Sequence, residues 1–320
     1  MADPTFIVPC LTEVDPDAIR RHLARDQFFW LDLIAPSPED MERLGEILKF
    51  HPLALEDTVK FGQRPKLDDY QDYMLLVFYG AREEPSDEQD LLYEVHLFVS
   101  GGYLVTVRRD PIPALDDERA KLEGKALKSE QFVLYRVLDA LTDTFFPLLA
   151  AMDDEIDGLE DAVLAGPDDE QLQRLFGLKR HLVSLRKVVT PQRDLFARSI
   201  DELAELPGLV LDKRDYFRDV YDHLIRISDL IDSYRDLLSS ATDLYLSTVG
   251  NRQNEVMKQL AVVGTIFLPL SFITGFFGMN FGWLVRHGIA PTWTFWVLGM
   301  GSMVATCIGL LALFRRRGWL

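Results

Sequence analysis

The sequence predicts an α+β membrane protein: a cytoplasmic α/β domain, a long helical stalk, and two transmembrane helices towards the C-terminal end. Three observations predict it. Strand-like runs are confined to residues 1–125. Apolar residues recur at helical spacing from about 129 to 277. Two late stretches, 259–285 and 288–314, each run for 27 residues without Asp, Glu, Lys or Arg.

In the first region, the runs 28–33, 73–79, 93–99 and 103–108 are rich in aromatic and β-branched residues, as strands are. Ser37-Pro38-Glu39-Asp40 reads as a helix start. Ser37 caps the end, Pro38 occupies the first turn where its missing N–H costs nothing, and Asp40 lies three residues beyond the cap to return the bond. A small sheet with helices on its faces is expected.

A first long helix is then expected from Ser129 to about Leu164, broken by Gly166-Pro167-Asp168. A second runs from Glu170 to about Leu203 and ends at Pro207-Gly208. A third begins near Asp212. In it Phe217, Val220, Leu224, Ile227, Leu230, Ile231, Tyr234, Leu237 and Leu238 recur at helical spacing. Nothing stronger than Gly250 interrupts it before Phe277, which gives one helix of about 65 residues, ~98 Å long at 1.5 Å per residue. A helix of that length calls for a bundle, within one chain or between subunits.

The formal charge is −17, and it is unevenly spread. The last 62 residues carry Arg286, Arg315, Arg316 and Arg317 and no acid, so the preceding 258 sum to −21. An acidic body of that size repels phosphates, which disfavours a nucleic-acid partner, and it attracts cations. Solubility alone is the competing reading of such charge. Cys10 and Cys307 are the only cysteines, too few for a CxxC metal site or a disulfide framework. Residues 1–17 lack a basic start followed by an apolar core, so no signal peptide is expected and the large domain is expected in the cytoplasm.

Within the uncharged stretches, 260–277 and 293–314 are long enough to cross a hydrocarbon core of about 30 Å. A core helix of a soluble protein is the alternative, and the absence of charge over this length argues against it. Trp283, Trp293, Trp296 and Trp319 lie near the span ends, where interfacial aromatics sit. Two spans put both termini on one side, and Arg315-Arg316-Arg317 marks that side as cytoplasmic. Residues 281–292 then form a short external loop.

The residues after Arg214 carry a specific resemblance. They are Tyr216-Phe217-Arg218-Asp219-Val220-Tyr221-Asp222-His223, Tyr234-Arg235-Asp236, Asn254-Glu255-Val256-Met257-Lys258, Ile266-Phe267-Leu268-Pro269-Leu270, Gly278-Met279-Asn280-Phe281, and Arg315-Arg316-Arg317-Gly318-Trp319-Leu320. Earlier, His51-Pro52-Leu53-Ala54-Leu55-Glu56-Asp57 and Gln63-Arg64-Pro65-Lys66 match in the same way. Together these resemble the CorA family of magnesium and cobalt transporters over nearly the whole chain. The resemblance implies a homopentamer in which the long helix lines a central pore, in the cell membrane, with Mg²⁺ both as transported ion and as regulator.

The resemblance makes Gly278, Met279 and Asn280 the selectivity filter. Mg²⁺ holds six waters and dehydrates reluctantly. The membrane segments offer no carboxylate to replace that shell, but a fivefold ring of Asn280 side-chain carbonyls and Gly278 backbone carbonyls accepts from its protons. A neutral ring binds weakly enough to release the ion. Asn254, Met257, Leu260, Gly264, Leu268, Ser271 and Gly275 step by three or four along one stripe. By resemblance this stripe lines the pore, with Met257, Leu260 and Leu268 as apolar constrictions; without the resemblance, a helix-packing face is the plainer reading. Pro269 removes one helix hydrogen bond and marks a possible kink.

For regulation, the resemblance puts Asp219 opposite an acid of a neighbouring subunit. Glu84 is the expected partner, and Asp243 is a second candidate nearer the membrane. A solvated helix-face charge is the alternative for each. His51, His96, His181 and His223 lack ligand spacing and read as packing or hydrogen-bonding residues. The chain departs from the family pattern at Phe277, where Tyr is usual, at Ala261, where Thr is common, and in the external loop, which has Arg286 and His287 and no acid.

The resulting partition is 1–125 α/β domain, 126–210 helical hairpin, 211–258 stalk, 259–281 first membrane helix, 282–292 external loop, 293–314 second membrane helix and 315–320 basic tail. No GxxxxGK[ST] loop appears, so no nucleotide partner is expected, and no nucleophile–base pair suggests an enzyme. The expected function is uptake of Mg²⁺, with Co²⁺ or Ni²⁺ as competitors, driven by membrane potential and gated by internal Mg²⁺. The alternatives are a zinc transporter of the same superfamily, or a non-conducting membrane-anchored sensor or scaffold.

Overall fold

The computed structural model describes residues 6–83, 90–127, 131–204, 214–279, 282, 286 and 292–319. It divides into two compact units, Met1–Thr242 and Asp243–Leu320. The elements of the first unit run β1 (Phe6–Ile7), β2 (Cys10–Leu11), α1 (Pro16–Ala24), β3 (Phe29–Ile34), α2 (Pro38–Leu48), α3 (Pro52–Lys60), β4 (Lys66–Asp69), β5 (Met74–Ala81), β6 (Leu92–Val99), β7 (Tyr103–Arg108), α4 (Pro113–Leu122), β8 (Ala126–Leu127), α5 (Gln131–Asp143), α6 (Phe145–Ala165) and α7 (Asp169–Ala204). The long helix α8 (Arg214–Phe277) starts in this unit and continues into the second.

The main sheet has the order β2-β3-β7-β6-β5-β4. β2, β3 and β7 pair in parallel and the rest antiparallel. Both faces are covered, which is why β5 reads as an unbroken apolar run rather than an alternating one. Trp30, Leu76, Phe78 and Leu97 point to a core shared with Leu134, Leu138, Phe196, Phe217 and Leu224. Phe29, Leu31, Leu75 and Val105 point the other way, onto Ile19, Met41, Leu44 and Ala54. The Ser37 cap forms as expected: Asp40 N–H donates to Ser37 Oγ at 3.1 Å, and Ser37 N–H to Asp40 Oδ2 at 3.3 Å.

A charged pair lies inside this core. Asp32 and Arg108, both fully buried, pair at 2.7 Å. Asp32 also accepts from Thr106 Oγ1 at 2.8 Å and Arg119 Nη1 at 2.7 Å, so its oxygens are satisfied. Thr106 in turn accepts from the Trp30 indole at 3.0 Å.

The expected single helix over 129–164 is two helices. It breaks at Thr144, and Pro147 in the first turn of α6 lacks the N–H that would carry the helix back to Asp143. The Thr144 hydroxyl donates to Leu141 O at 2.5 Å and accepts from Ala81 N–H at 2.7 Å, so a tie to the sheet holds the break. Beside it, Gln192 of α7 accepts from Tyr79 N–H at 2.5 Å and donates to Tyr79 O at 3.4 Å. β4 pairs with β5 only as far as Val77, so these two side chains supply the partners that β4 does not. In α8, Phe217, Val220, Leu224, Ile227, Ile231, Tyr234 and Leu238 are buried, whereas Leu230 is half-buried and Leu237 exposed. The buried seam is narrower than the apolar pattern.

In the second unit, α8 ends at Phe277. A short α9 (Thr292–Thr294) leads into a π-wound turn, Phe295–Met300, and then α10 (Gly301–Arg316). Two segments are long and apolar enough to cross a membrane, one within α8 and one over Phe295–Arg316. Only 6% and 11% of their apolar windows are buried by the chain itself, which is not how a soluble core helix sits. Lys258 Nζ donates to Gly318 O at 3.2 Å, and Trp319 stacks on Phe314, so the basic tail is ordered against helix ends.

Candidate metal and pore sites

The stripe predicted along the first membrane segment is exposed at every position: Asn254, Met257, Leu260, Gly264, Leu268, Ser271 and Gly275. At 100° per residue the stripe from Met257 to Gly275 lies opposite Val262, Ile266 and Ile273, which are among the less exposed positions of the same segment. Met257, Leu260 and Leu268 are 67%, 65% and 77% exposed, so their apolar surface is uncovered by the chain.

At the end of α8, Gly278 N–H donates to Thr274 O at 2.9 Å and Met279 N–H to Phe276 O at 3.3 Å. A Cβ on residue 278 would stand 3.2 Å from Thr274 O, closer than side chains ordinarily come. Glycine here serves close backbone approach. Asn280 lies outside the described residues, as does Glu84.

Asp219 sits one turn before His223 on α8. Its Oδ2 accepts from Tyr135 Oη at 3.0 Å, and its Oδ1 lies 3.9 Å from His223 Nε2. His223 Nδ1 lies 3.7 Å from Asp139 Oδ1 and 3.6 Å from Asp143 Oδ1. One donor atom from each of Asp139, Asp143 and His223 falls within 4.8 Å of the others, spacing that could hold a metal ion. Helix geometry explains the pairing: Asp139 and Asp143 are four residues apart on α5 and share one face, as do Asp219 and His223 on α8.

The electrostatics fit a cation site. Burial pushes the Asp139 carboxyl above its ordinary range, and Asp143 adds to the rise; Arg136, whose Nη1 donates to it at 3.1 Å, only partly offsets this. Asp143 is also raised, by burial first. The Tyr135 hydroxyl is pushed up by burial and by the acids around it. Nδ1 of His223 has no hydrogen-bond partner among the described residues. Two carboxylates and an imidazole suit Co²⁺ and similar ions; Mg²⁺ favours oxygen donors and would rest on the carboxylates.

Sequence spacing does not flag His223, which reads there as a packing residue, nor Asp139 and Asp143. A signal does exist: both acids interrupt the apolar helix Val133, Leu134, Val137, Leu138, Leu141 on a common face. Asp243 is exposed and makes no ion pair among the described residues.

Residues 25–316 match the family described as "CorA-like Mg2+ transporter protein". The chain is 33% identical over 296 residues to the "Cobalt/magnesium transport protein CorA" of Thermotoga maritima, covering 91% of this chain and 83% of that one. It superposes on the CorA magnesium transporter structure from Methanocaldococcus jannaschii with a TM-score of 0.79 at 27% identity, covering 91% of both. A ZntB cytoplasmic domain from Vibrio parahaemolyticus shares the fold, with a TM-score of 0.58 over 70% of this chain at 16% identity. With the family match spanning residues 25–316 and a relative 33% identical over 91% of the sequence, the chain belongs to the CorA-like Mg²⁺ transporter family.

Proposed function

We propose that the chain is a membrane channel for divalent cations that conducts Mg²⁺, with Co²⁺ and Ni²⁺ as competitors, and that five copies surround one pore. The observation that carries this reading is the exposed stripe on α8. An apolar and small-residue face, turned away from the half-buried side of its own helix, wants identical neighbours, and cyclic symmetry supplies them. Relatives named as cobalt/magnesium transporters support the ion class. The ZntB cytoplasmic domain, at 16% identity, shares the fold alone and does not favour the zinc alternative.

In this reading the ion keeps its water shell and meets a neutral ring of Asn280 and Gly278 carbonyls. Met257, Leu260 and Leu268 form dewettable constrictions below it. Inward flux needs no nucleotide, because a divalent ion gains about 4.6 kcal/mol per 100 mV. Arg315, Arg316 and Arg317 hold both termini in the cytoplasm. A regulatory cation rests on Asp219, with Asp139, Asp143 and His223 beside it and Glu84 of a neighbouring copy as the expected counter-ligand. Bound there, it neutralises repelling carboxylates and favours the closed arrangement, by as much as it prefers that state.

The test is flux. In liposomes carrying a Mg²⁺-sensitive dye, the protein should admit Mg²⁺, and Asn280→Ala should abolish entry while native mass spectrometry still finds the oligomer. Undiminished entry through Asn280→Ala removes the filter assignment, and entry of Zn²⁺ in preference to Mg²⁺ transfers the chain to the zinc reading.

A further inference from the structure

The α6–α7 hairpin separates charge by helix. Over Phe145–Ala165, α6 carries six acids and no base. Over residues 171–193, α7 carries six bases and no acid. Within one copy, Arg174 pairs with Glu155 at 2.8 Å, and Arg186 turns instead to Asp232 on α8. Asp154, Asp157 and Asp161 lie exposed on one face of α6 and make no salt bridge among the described residues. Lys179, Arg180 and Lys187 lie exposed on one face of α7.

The α7 face is also partly apolar. Phe176 and Val183 are each 46% exposed, and with the basic residues they line a groove of about 410 Å³. His181 lines the same groove, and its Nε2 has no hydrogen-bond partner among the described residues. The spacing of the two faces matches. Asp154 to Asp161 and Arg180 to Lys187 each span seven residues, roughly 10.5 Å along a helix.

We infer that the α7 groove docks the acidic face of α6 from a second copy of this chain. Either face would repel its own image, so the contact is acid face to basic face. Such a head-to-tail contact is the kind that closes into a ring. This rests on the oligomeric reading above and adds to it a cytoplasmic contact that orients adjacent copies. Half-exposed ion pairs contribute little affinity singly, and they act on register and rate of approach. The consequence to look for is therefore geometric and salt-dependent.

The experiment uses full-length protein in detergent with Cys10 and Cys307 replaced by serine. One tagged copy carries Asp157→Cys and a differently tagged copy carries Val183→Cys. Oxidation should join the two tags, and added salt should lower the yield, since exposed charges are screened beyond about 8 Å at 0.15 M. Lys179→Glu, Arg180→Glu and Lys187→Glu on the Val183→Cys copy should abolish the cross-link. Asp154→Lys and Asp161→Lys on the Asp157→Cys copy should restore it. An intact oligomer with no cross-link between tags overturns the inference and leaves the channel reading standing. A monomer by native mass spectrometry removes both. Co-purified phosphatidylglycerol that is lost on the triple reversal, without any cross-link, assigns the basic face to lipid and likewise overturns the docking.

Discussion

Replacing Asp143 with Asn should stabilise the ion-free protein and blunt its response to divalent cations. Asp139 and Asp143 place carboxylate oxygens within 4.8 Å of each other. At that distance two unit charges repel by about 3.5 kcal/mol at an effective dielectric of 20 and about 0.9 kcal/mol in water. Asp143 is 56% exposed, so the lower figure governs. The variant should then gain up to about 1 kcal/mol without ions. With ions the order reverses. A cation at a hundred times its Kd stabilises by about 2.7 kcal/mol, and a tenfold loss of affinity cuts that to about 1.4 kcal/mol. For a unit of this size each kcal/mol moves the midpoint by roughly 2–4 °C. The Mg²⁺-induced rise of about 5–11 °C should fall to roughly half. The assay is thermal unfolding of full-length protein in detergent, with and without Mg²⁺ or Co²⁺ at constant ionic strength. A variant that melts lower without ions and keeps the full cation-induced rise would show that Asp143 is structural and that no ion is held there.

Acid should weaken the same site. The folded-state pKa values of Asp139 and Asp143 are raised above the ordinary 3.8, so protons compete with the cation as pH falls through that raised range, while the ion-free protein gains stability there and loses it as pH rises. Thermal titrations at several pH values read both signs at once, and an ion response flat across that range contradicts them. Asp219→Ala should leave flux less inhibited by millimolar internal Mg²⁺, with Asp229→Ala as control on the same helix; superimposable inhibition curves for the two end the regulatory role. Asp32→Ala should cost about 3–5 kcal/mol, since it strands the buried Arg108. An unchanged midpoint in urea for that variant would mean that Asp116, 2.5 Å from the same guanidinium, suffices alone.

How much of this could be read from sequence follows burial. β5 is legible because both its faces are covered and it reads as an apolar run, and β6 and β7 because aromatic and β-branched residues dominate them around Glu94, His96, Thr106 and Arg108. β2 and β4 are not: the first is two residues, and the second, Lys66-Leu67-Asp68-Asp69, is a polar edge. The break at Thr144 had one local sign, Pro147 in the first turn of α6, and one cause that no local pattern carries, a hydroxyl bonded to a strand 63 residues away. Asp219 was singled out through resemblance, and the structure places it against Tyr135 and His223. Asp139 and Asp143 needed the packing of α5 on α8, since two acids four apart on a helix are ordinarily a solvated face. The α8 stripe was legible as a pattern; Met257, Leu260 and Leu268 are uncovered by the chain, as are Val263, Phe267 and Phe272 beside them.

The hydroxyl of Thr144 and the carboxamide of Gln192 complete the open side of β5 in place of a strand, and that makes two backbone amides into reporters. The N–H groups of Tyr79 and Ala81 are protected from solvent exchange by side chains of the hairpin rather than by the ladder. Any motion that lifts α6 and α7 from the sheet deprotects these two amides, while the Val95 and Leu97 amides of β6, both buried inside the sheet, stay closed until the domain itself opens. Deuterium uptake in the peptide bearing Tyr79 and Ala81, compared with that bearing Val95 and Leu97, therefore follows the hairpin without a label.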